Sequence, residues 1–311
     1  MNFQQLRIIR ETARRNCNLT EVANALFTSQ SGVSKHIKDL EDELGVDLFV
    51  RRGKRLTGMT EPGKELVPIV ERMLADIQAI RRLGEHFAQR ESGELVVATT
   101  HTQARYALPQ AVAAFKLGHP KVHLVLHQAS PPEIVAMLQN GEADLGIATE
   151  ALAEHAEIAA FPFYEWHHGV LVPRDHALTR APLSLRALAA WPLVTYHQGF
   201  AGRSRIDASF AAAGINPDIV LSALDSDVIK TYVELGLGVG VVAPVAWMEE
   251  RDPGLVFLDG AALFPRNTTY IGVRRGHYLR DFAYRFIEAC APDLSAERVR
   301  TALAQSPGEH E

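Results

Sequence analysis

The stretch Asn18–Gly45, NLTEVANALFTSQSGVSKHIKDLEDELG, reads as two helices joined by a tight turn, the second of them chemically sorted. Val33, Ile37, Leu40 and Leu44 recur at spacings of three and four, which places them on one buried stripe. Ser31, Ser34, Lys35 and Lys38 then point away from it. Such a helix packs on one side and presents short hydroxyls, an amide (Gln30) and amines on the other. That set suits the DNA major groove, where hydroxyls and amides read base edges and lysines neutralise phosphate. Asn18 is expected to cap the first helix with Glu21 as reciprocal partner, and Thr28 and Ser29 to supply the turn.

Amphipathic helix pairs also occur in proteins that never touch nucleic acid, so the pair alone is weak evidence. The next segment, Phe49-Val50-Arg51-Arg52-Gly53-Lys54-Arg55, strengthens it: this basic hairpin lies where a winged helix-turn-helix carries its wing. Four cations in five residues suit phosphate or the minor groove better than a solvated loop.

These residues carry a resemblance. Leu6 in the first helix, Thr28-Ser29-Gln30-Ser31, Leu40-Glu41-Asp42-Glu43-Leu44-Gly45, Leu48-Phe49 and Thr57 make residues 1 to 60 similar to the DNA-binding domain of LysR-type transcriptional regulators. Farther on, Ala98-Thr99-Thr100-His101-Thr102-Gln103-Ala104-Arg105-Tyr106 and Asp227-Val228-Ile229-Lys230-Thr231-Tyr232 resemble the CysB-like branch, regulators of sulfur acquisition. The similarity covers nearly the whole chain.

Composition bounds the alternatives. With 311 residues and 47% hydrophobic content, the chain can hold two or three domains, each with its own core. The net charge of −5 would argue against a nucleic-acid partner if it were uniform. Residues 1–90, however, carry 15 Lys and Arg against 12 Asp and Glu, and the remainder 17 against 25, so DNA binding belongs to the N-terminal part. No signal peptide or membrane span is legible. Cys17 and Cys290 lie far apart without metal-type spacing, as in a reduced, cytoplasmic protein.

The expected architecture is an N-terminal winged helix-turn-helix, mainly α, then a long linker helix, then a two-lobed α/β effector domain of the periplasmic-binding-protein type. The expected domains are 1–60 for the DNA reader and 61–90 for the linker. Lobe I takes 91–164 and 266–295, lobe II takes 165–265, and 296–311 form a C-terminal tail. In the linker, Leu66, Val70, Met73, Ile77, Ile80 and Phe87 keep a heptad broken at Gly84, which predicts a coiled-coil dimer seam. A helix packed on its own domain would need the same spacing. Glu91-Ser92-Gly93 marks a hinge. Beyond it, strands near 95–98, 122–128, 143–148, 169–172, 219–223, 239–243 and 270–274 alternate with helices over 102–117, 132–139, 203–213, 228–235 and 278–289. This alternation predicts parallel sheets covered by helices.

Open parallel sheets bind ligands at the carboxyl ends of their strands, where helix N-termini expose N–H groups. Thr99, Thr100, His101, Thr102 and Gln103 occupy such a junction, and Thr149 ends a neighbouring strand. Hydroxyls and an amide there can surround an oxyanion, although threonines at helix starts are also ordinary caps. The resemblance implies more: in CysB-like proteins the matching cleft holds sulfate or a small acylated amino acid, and Thr100, Thr102, Gln103 and Thr149 match residues that line it. Trp166 matches a position tied to inducer response. The chain departs from the family at Ala201, in Gly199-Phe200-Ala201-Gly202-Arg203-Ser204, where relatives place a ligand-contacting threonine. One lost hydrogen bond is worth about 1 to 2 kcal/mol, roughly tenfold in affinity. Sulfate has no proton to donate, so a donor-rich site accepts it, while phosphate wants an acceptor as well.

Other motifs carry less. Gly236, Gly238 and Gly240 run into apolar Val241-Val242-Ala243 without a helix start, so they read as a turn into a strand. His167-His168 lack a third metal ligand, and Asp225 and Asp227 read as caps for the helix near Val228. No catalyst, cofactor or metal is expected. The reading is a cytoplasmic transcriptional regulator of sulfur metabolism whose dimers or tetramers bind promoter DNA and whose cleft binds a small anionic or acetyl-amino-acid effector. RNA polymerase is a candidate partner. Thr28, Ser29, Gln30, Ser31, Ser34, Lys35 and Lys38 are expected at DNA, with Arg51, Arg52, Lys54 and Arg55 in the wing. The main alternative is a regulator of alkanesulfonate or organosulfur use; a solute-binding protein or an α/β enzyme ranks below both.

Overall fold

The computed structural model describes residues 1–53, 55–88, 92–149, 151–200 and 202–304, with the side chains at 78, 79, 81, 82 and 85–88 outside that set. The chain forms two compact units, Met1–Gly84 and Glu85–Glu311.

In the first unit, α1 (Phe3–Arg14), α2 (Leu19–Ala25) and α3 (Gln30–Leu44) are followed by a hairpin of β1 (Phe49–Arg52) and β2 (Arg55–Met59), and then by the long α4 (Glu61–Ala88). Leu6, Ile9, Val22, Val33, Ile37, Leu40 and Phe49 meet in its core. The caps are local. Asn18 Oδ1 accepts from the N–H groups of Thr20 and Glu21, and Ser29 Oγ accepts from Gly32. Glu21 returns the cap through the Asn18 side-chain amide at 2.7 Å, because the Asn18 backbone N–H already donates to Arg15. The turn uses Phe27 at φ 51° as well as Thr28 and Ser29. α3 stops at Gly45, whose φ of 70° favours a residue without Cβ. Leu44, expected on the buried stripe, is 42% exposed, because it sits in the last turn before that stop, past the edge of the core.

The heptad of α4 divides in two. Leu66, Val70, Met73 and Ile77 pack into the unit's own core, whereas Ile80 is 68% exposed. The Phe87 side chain lies outside the described residues. A core face and a dimer seam demand the same three-and-four spacing, so the sequence alone could not separate them.

The second unit has two lobes. Lobe I holds β3 (Gly93–Thr99), α5 (Pro109–Gly118), β4 (Val122–Gln128), α6 (Pro131–Gln139), β5 (Leu145–Thr149) and β6 (Ile158–Trp166). Lobe II follows with β7 (Gly169–Pro173), α7 (Leu185–Leu188), β8 (Leu193–Tyr196), α8 (Arg203–Ala212), β9 (Ile219–Ala223), α9 (Ser226–Glu234), β10 (Val239–Val242) and β11 (Leu255–Leu258). The chain then returns to lobe I with β12 (Asn267–Arg274), α10 (Asp281–Cys290) and α11 (Ala296–Ala304).

The sheet orders are β4-β3-β5-β12-β6 and β11-β7-β10-β8-β9. Both are mixed, not purely parallel as the alternation predicts: β12 runs antiparallel to β5 and β6, and β7 antiparallel to β10 and β11. β6, β8 and β11 escape the sequence reading. β6 carries Pro162, tolerable because the strand lies at the sheet edge. The helix expected over 102–117 breaks into one π-helical turn, Gln103–Ala107, and α5, because Pro109 lacks the N–H needed inside a helix and takes the first helical position. The closing helix starts at Asp281 instead of Tyr278. The segment read as a tail contains α11, whose Val299 and Leu303 are buried in the lobe I core. Among the described residues no helix is long and apolar enough to cross a membrane.

Candidate nucleic-acid interface and effector cleft

On α3 the buried face is Val33, Ile37 and Leu40, and the opposite face exposes Gln30, Ser31, Lys35 and Lys38, with Ser34 half-buried at the margin. Ser29 Oγ is committed as the cap acceptor and lies 3.2 Å from Ser31 Oγ; Thr28 is half-buried in the turn. The helix therefore offers one continuous polar surface from its N-terminus.

The wing arginines are not equivalent. Across the hairpin Arg52 faces Arg55 and Arg51 faces Leu56, and opposed residues share a face of the ladder. Leu56 is buried, so Arg51 lies on the core side, where its guanidinium meets Glu41 Oε2 at 2.7 Å. Glu41 itself is 5% exposed, and its Oε1 accepts the N–H groups of Leu48 and Phe49 at 2.9 and 3.1 Å. One carboxylate of α3 thus holds the start of the hairpin. The sequence reading placed Glu41 only in a motif. Arg52 and Arg55 are exposed, and Lys54 lies outside the described residues. Arg52→Ala and Arg55→Ala should each reduce the slope of log affinity against log salt by about 0.9, as for one phosphate contact each, while Arg51→Ala leaves the slope unchanged. Titrations of promoter DNA at several salt concentrations check this.

In the C-terminal unit the expected cleft residues separate into structural and available groups. Thr99 is fully buried and its hydroxyl donates to Ile147 O, so it ties β3 to β5 and is no ligand candidate. Thr100 is half-buried at the end of β3. Thr102 Oγ1 lies 3.4 Å from Ser226 Oγ on α9, which brings the two lobes together. Gln103 Oε1 accepts from the Tyr164 hydroxyl at 2.8 Å. Thr149 Oγ1 is 3.4 Å from Thr269 Oγ1, which accepts from Trp166 Nε1 at 3.0 Å. Ala201 lies outside the described residues, but its neighbour Gly202, at φ 69°, begins α8 beside His168 and Asn267.

The Tyr196 hydroxyl accepts from the Ala243 N–H and lies 2.7 Å from Ser226 Oγ, whose other neighbour is Thr102 Oγ1, so the three hydroxyls form one continuous chain between the lobes. Tyr164 fills the Gln103 carbonyl and leaves the amide N–H groups. Both phenols stay protonated. Burial pushes Tyr196 up to about 12, and burial also raises Tyr164 against the opposing hydrogen bonds from Thr269 and Gln103. Tyr164, Tyr196, Ser226 and Thr269 were missed by the sequence reading, which had no local signal for them.

His167 and His168 are packed histidines: His167 Nδ1 contacts Phe264 O, and the buried His168 ring contacts Asn267 and Trp166. Asp225 does cap α9, but Asp227 is instead bound by Arg105 and Tyr106. His101, Asp225 and Asp227 come within 4.8 Å of one another, yet those internal partners account for both carboxylates.

Comparison with known proteins matches residues 3–64 to the bacterial regulatory helix-turn-helix proteins of the lysR family, and residues 88–295 to the LysR substrate binding domain. The chain belongs to the LysR family. The HTH-type transcriptional regulator SsuR of Burkholderia cenocepacia is 58% identical over 98% of this chain and 100% of its own length. CysB of the same organism is 49% identical over 97% of each chain. A crystal structure of the cofactor-binding domain of the Cbl transcriptional regulator superposes with a TM-score of 0.67 and 51% identity, over 69% of this chain and 95% of that one. These relatives are transcriptional regulators of sulfur metabolism and not enzymes. The chain is accordingly a DNA-binding LysR-type regulator of that branch.

Proposed function

We propose that this LysR-type regulator controls genes of sulfur acquisition in the cytoplasm, as a dimer or tetramer on promoter DNA, in response to a small, fully ionised oxyanion or an acylated amino acid bound between its lobes. The α3 face of Thr28, Gln30, Ser31, Ser34, Lys35 and Lys38 would lie in the major groove, with Arg52 and Arg55 at flanking phosphates. Activation through RNA polymerase is part of the same proposal.

The observation that supports the effector reading is the grouping of donors where the lobes meet: Thr102 beside Ser226, and next to it Gln103, whose carbonyl takes the Tyr164 hydroxyl and leaves its amide N–H groups to donate. A site with spare donors accepts sulfate or a carboxylate, and penalises a ligand that must itself donate. The similarity to SsuR at 58% identity and to CysB at 49% is consistent both with this reading and with the alternative, control of organosulfur use.

Calorimetry with sulfate, thiosulfate, O-acetylserine, N-acetylserine and adenosine phosphosulfate, with phosphate as control, tests the reading. We expect sulfate or phosphosulfate to bind in preference to phosphate, with about tenfold loss on Thr149→Val. Selective binding of an acetylserine would move the assignment to cysteine biosynthesis. Equal binding of phosphate, or of nothing in the set, would overturn the cleft.

A further inference from the structure

Beside the cleft, the two lobes are joined by a second set of contacts that the effector reading does not use. The chain leaving β3 passes through Thr100, His101 and Thr102 into the single π-helical turn Gln103–Ala107. Within five residues this segment serves two purposes: Thr102 and Gln103 are buried with the cleft groups, while Arg105 and Tyr106 reach lobe II. π-turns of this kind gather at functional sites, because the extra residue redirects neighbouring side chains.

The lobe II side of these contacts is Asp227 and Lys230 on α9. The Tyr106 hydroxyl donates to Asp227 Oδ1, and Lys230 Nζ donates to the Tyr106 hydroxyl at 2.8 Å and lies 4.9 Å from the ring centroid. Arg105 Nε is 2.9 Å from Asp227 Oδ2, with His101 Nδ1 3.7 Å from the same oxygen. Lys230 is fixed from behind by Asp252, 2.9 Å away, and by Ala246 O at 3.0 Å. The Lys230 and Asp252 side chains are each 11% exposed. Burial alone would lower the Lys230 pKa, but hydrogen bonds to Tyr106 and Asp252 outweigh it and hold the ammonium above the usual lysine value. The pair is therefore less screened than ordinary surface ion pairs.

We propose that Tyr106, Asp227 and Lys230 form an inter-lobe latch that positions Thr102 and Gln103, so that the strength of the latch sets how tightly the cleft holds its effector. The π-turn that carries Tyr106 follows directly on Thr102, so release of the latch loosens the contact of Thr102 with Ser226 and the backbone that places Gln103. A binding-competent arrangement that is populated only part of the time weakens apparent affinity by that fraction. The consequence for the effector rests on the cleft reading above; the latch itself does not.

Two measurements on the full chain separate the two. In ligand-free protein, hydrogen exchange of residues 99–107 and 226–234 should quicken about tenfold in Tyr106→Phe, which keeps the ring and removes only the hydroxyl between Asp227 and Lys230. Arg285→Ala, which breaks an exposed pair with Glu288 on α10, should leave both segments unchanged. Unchanged exchange in Tyr106→Phe, or equal quickening in Arg285→Ala, overturns the latch. In sulfate titrations Tyr106→Phe should weaken binding about tenfold with little change in melting temperature. Binding of equal strength in the two proteins overturns the coupling. Failure of the wild type to bind sulfate counts against the cleft reading, and the latch is then decided by exchange alone.

Discussion

Glu41→Ala should destabilise the N-terminal unit by about 3 kcal/mol. The substitution strands the buried N–H groups of Leu48 and Phe49 and leaves Arg51 without its carboxylate. An unpaired buried donor costs roughly 1 to 3 kcal/mol, and breaking one side of a buried ion pair about 3 to 5. The lower end applies here, because the Arg51 side chain is 37% exposed and water can take over its charge. Glu41→Gln keeps an acceptor for the backbone and should cost about 1 kcal/mol. The sequence supplies an internal control. Trp166, Trp191 and Trp247, all three tryptophans, lie in the C-terminal unit, so their fluorescence follows that unit while far-ultraviolet circular dichroism follows both. In urea, Glu41→Ala should bring forward a transition seen by dichroism and leave the tryptophan transition in place. Equal shifts of both signals, or of neither, would remove Glu41 from this role.

Gly202→Ala should cost the C-terminal unit about 2 to 3 kcal/mol. Gly202 has φ 69°, where an L-residue is strained, and a methyl group there would lie 2.5 Å from Asn267 Oδ1 and 2.9 Å from His168 Cε1. Asn267 and His168 are both fully buried and bonded to each other, so neither can step aside without breaking that contact. Gly214→Ala isolates the crowding: its φ is 67°, but a methyl group there meets no heavy atom within 4 Å, so it should cost only about 1 kcal/mol. Tryptophan-detected urea unfolding compares the two. Costs of equal size would mean that the backbone, and not the packing against the strands that join the lobes, dictates glycine at 202.

The DNA reader was the more legible half of this molecule because its signals are local. The caps at Asn18 and Ser29, the stop at Gly45 and the stripe of Val33, Ile37 and Leu40 all involve residues within one or two turns of each other. The cleft was legible only in part. Thr102 and Gln103 stand at a strand end, where the chain itself announces a helix start. Their partners come from far away: Ser226 is 124 residues from Thr102, and Thr269 is 120 from Thr149.

By itself, then, the sequence determined the elements whose hydrogen bonds and periodicity close over short distances: the helix pair, the basic hairpin, and the hydroxyl-rich junction after β3. It could not assign roles among chemically identical side chains. Arg51 and Arg52 are adjacent and equally cationic, yet Arg51 holds the wing and Arg52 faces solvent, because the hairpin register turns only Arg51 toward Glu41. Val70 reads as a seam residue and is a core residue, because that part of α4 joins the hydrophobic cluster of the N-terminal unit. Asp227 reads as a cap and is a bridge, because the lobes meet where Arg105 and Tyr106 can reach it. In each case a contact between distant segments chose among roles that local chemistry left equal, and only the tertiary structure contains that contact.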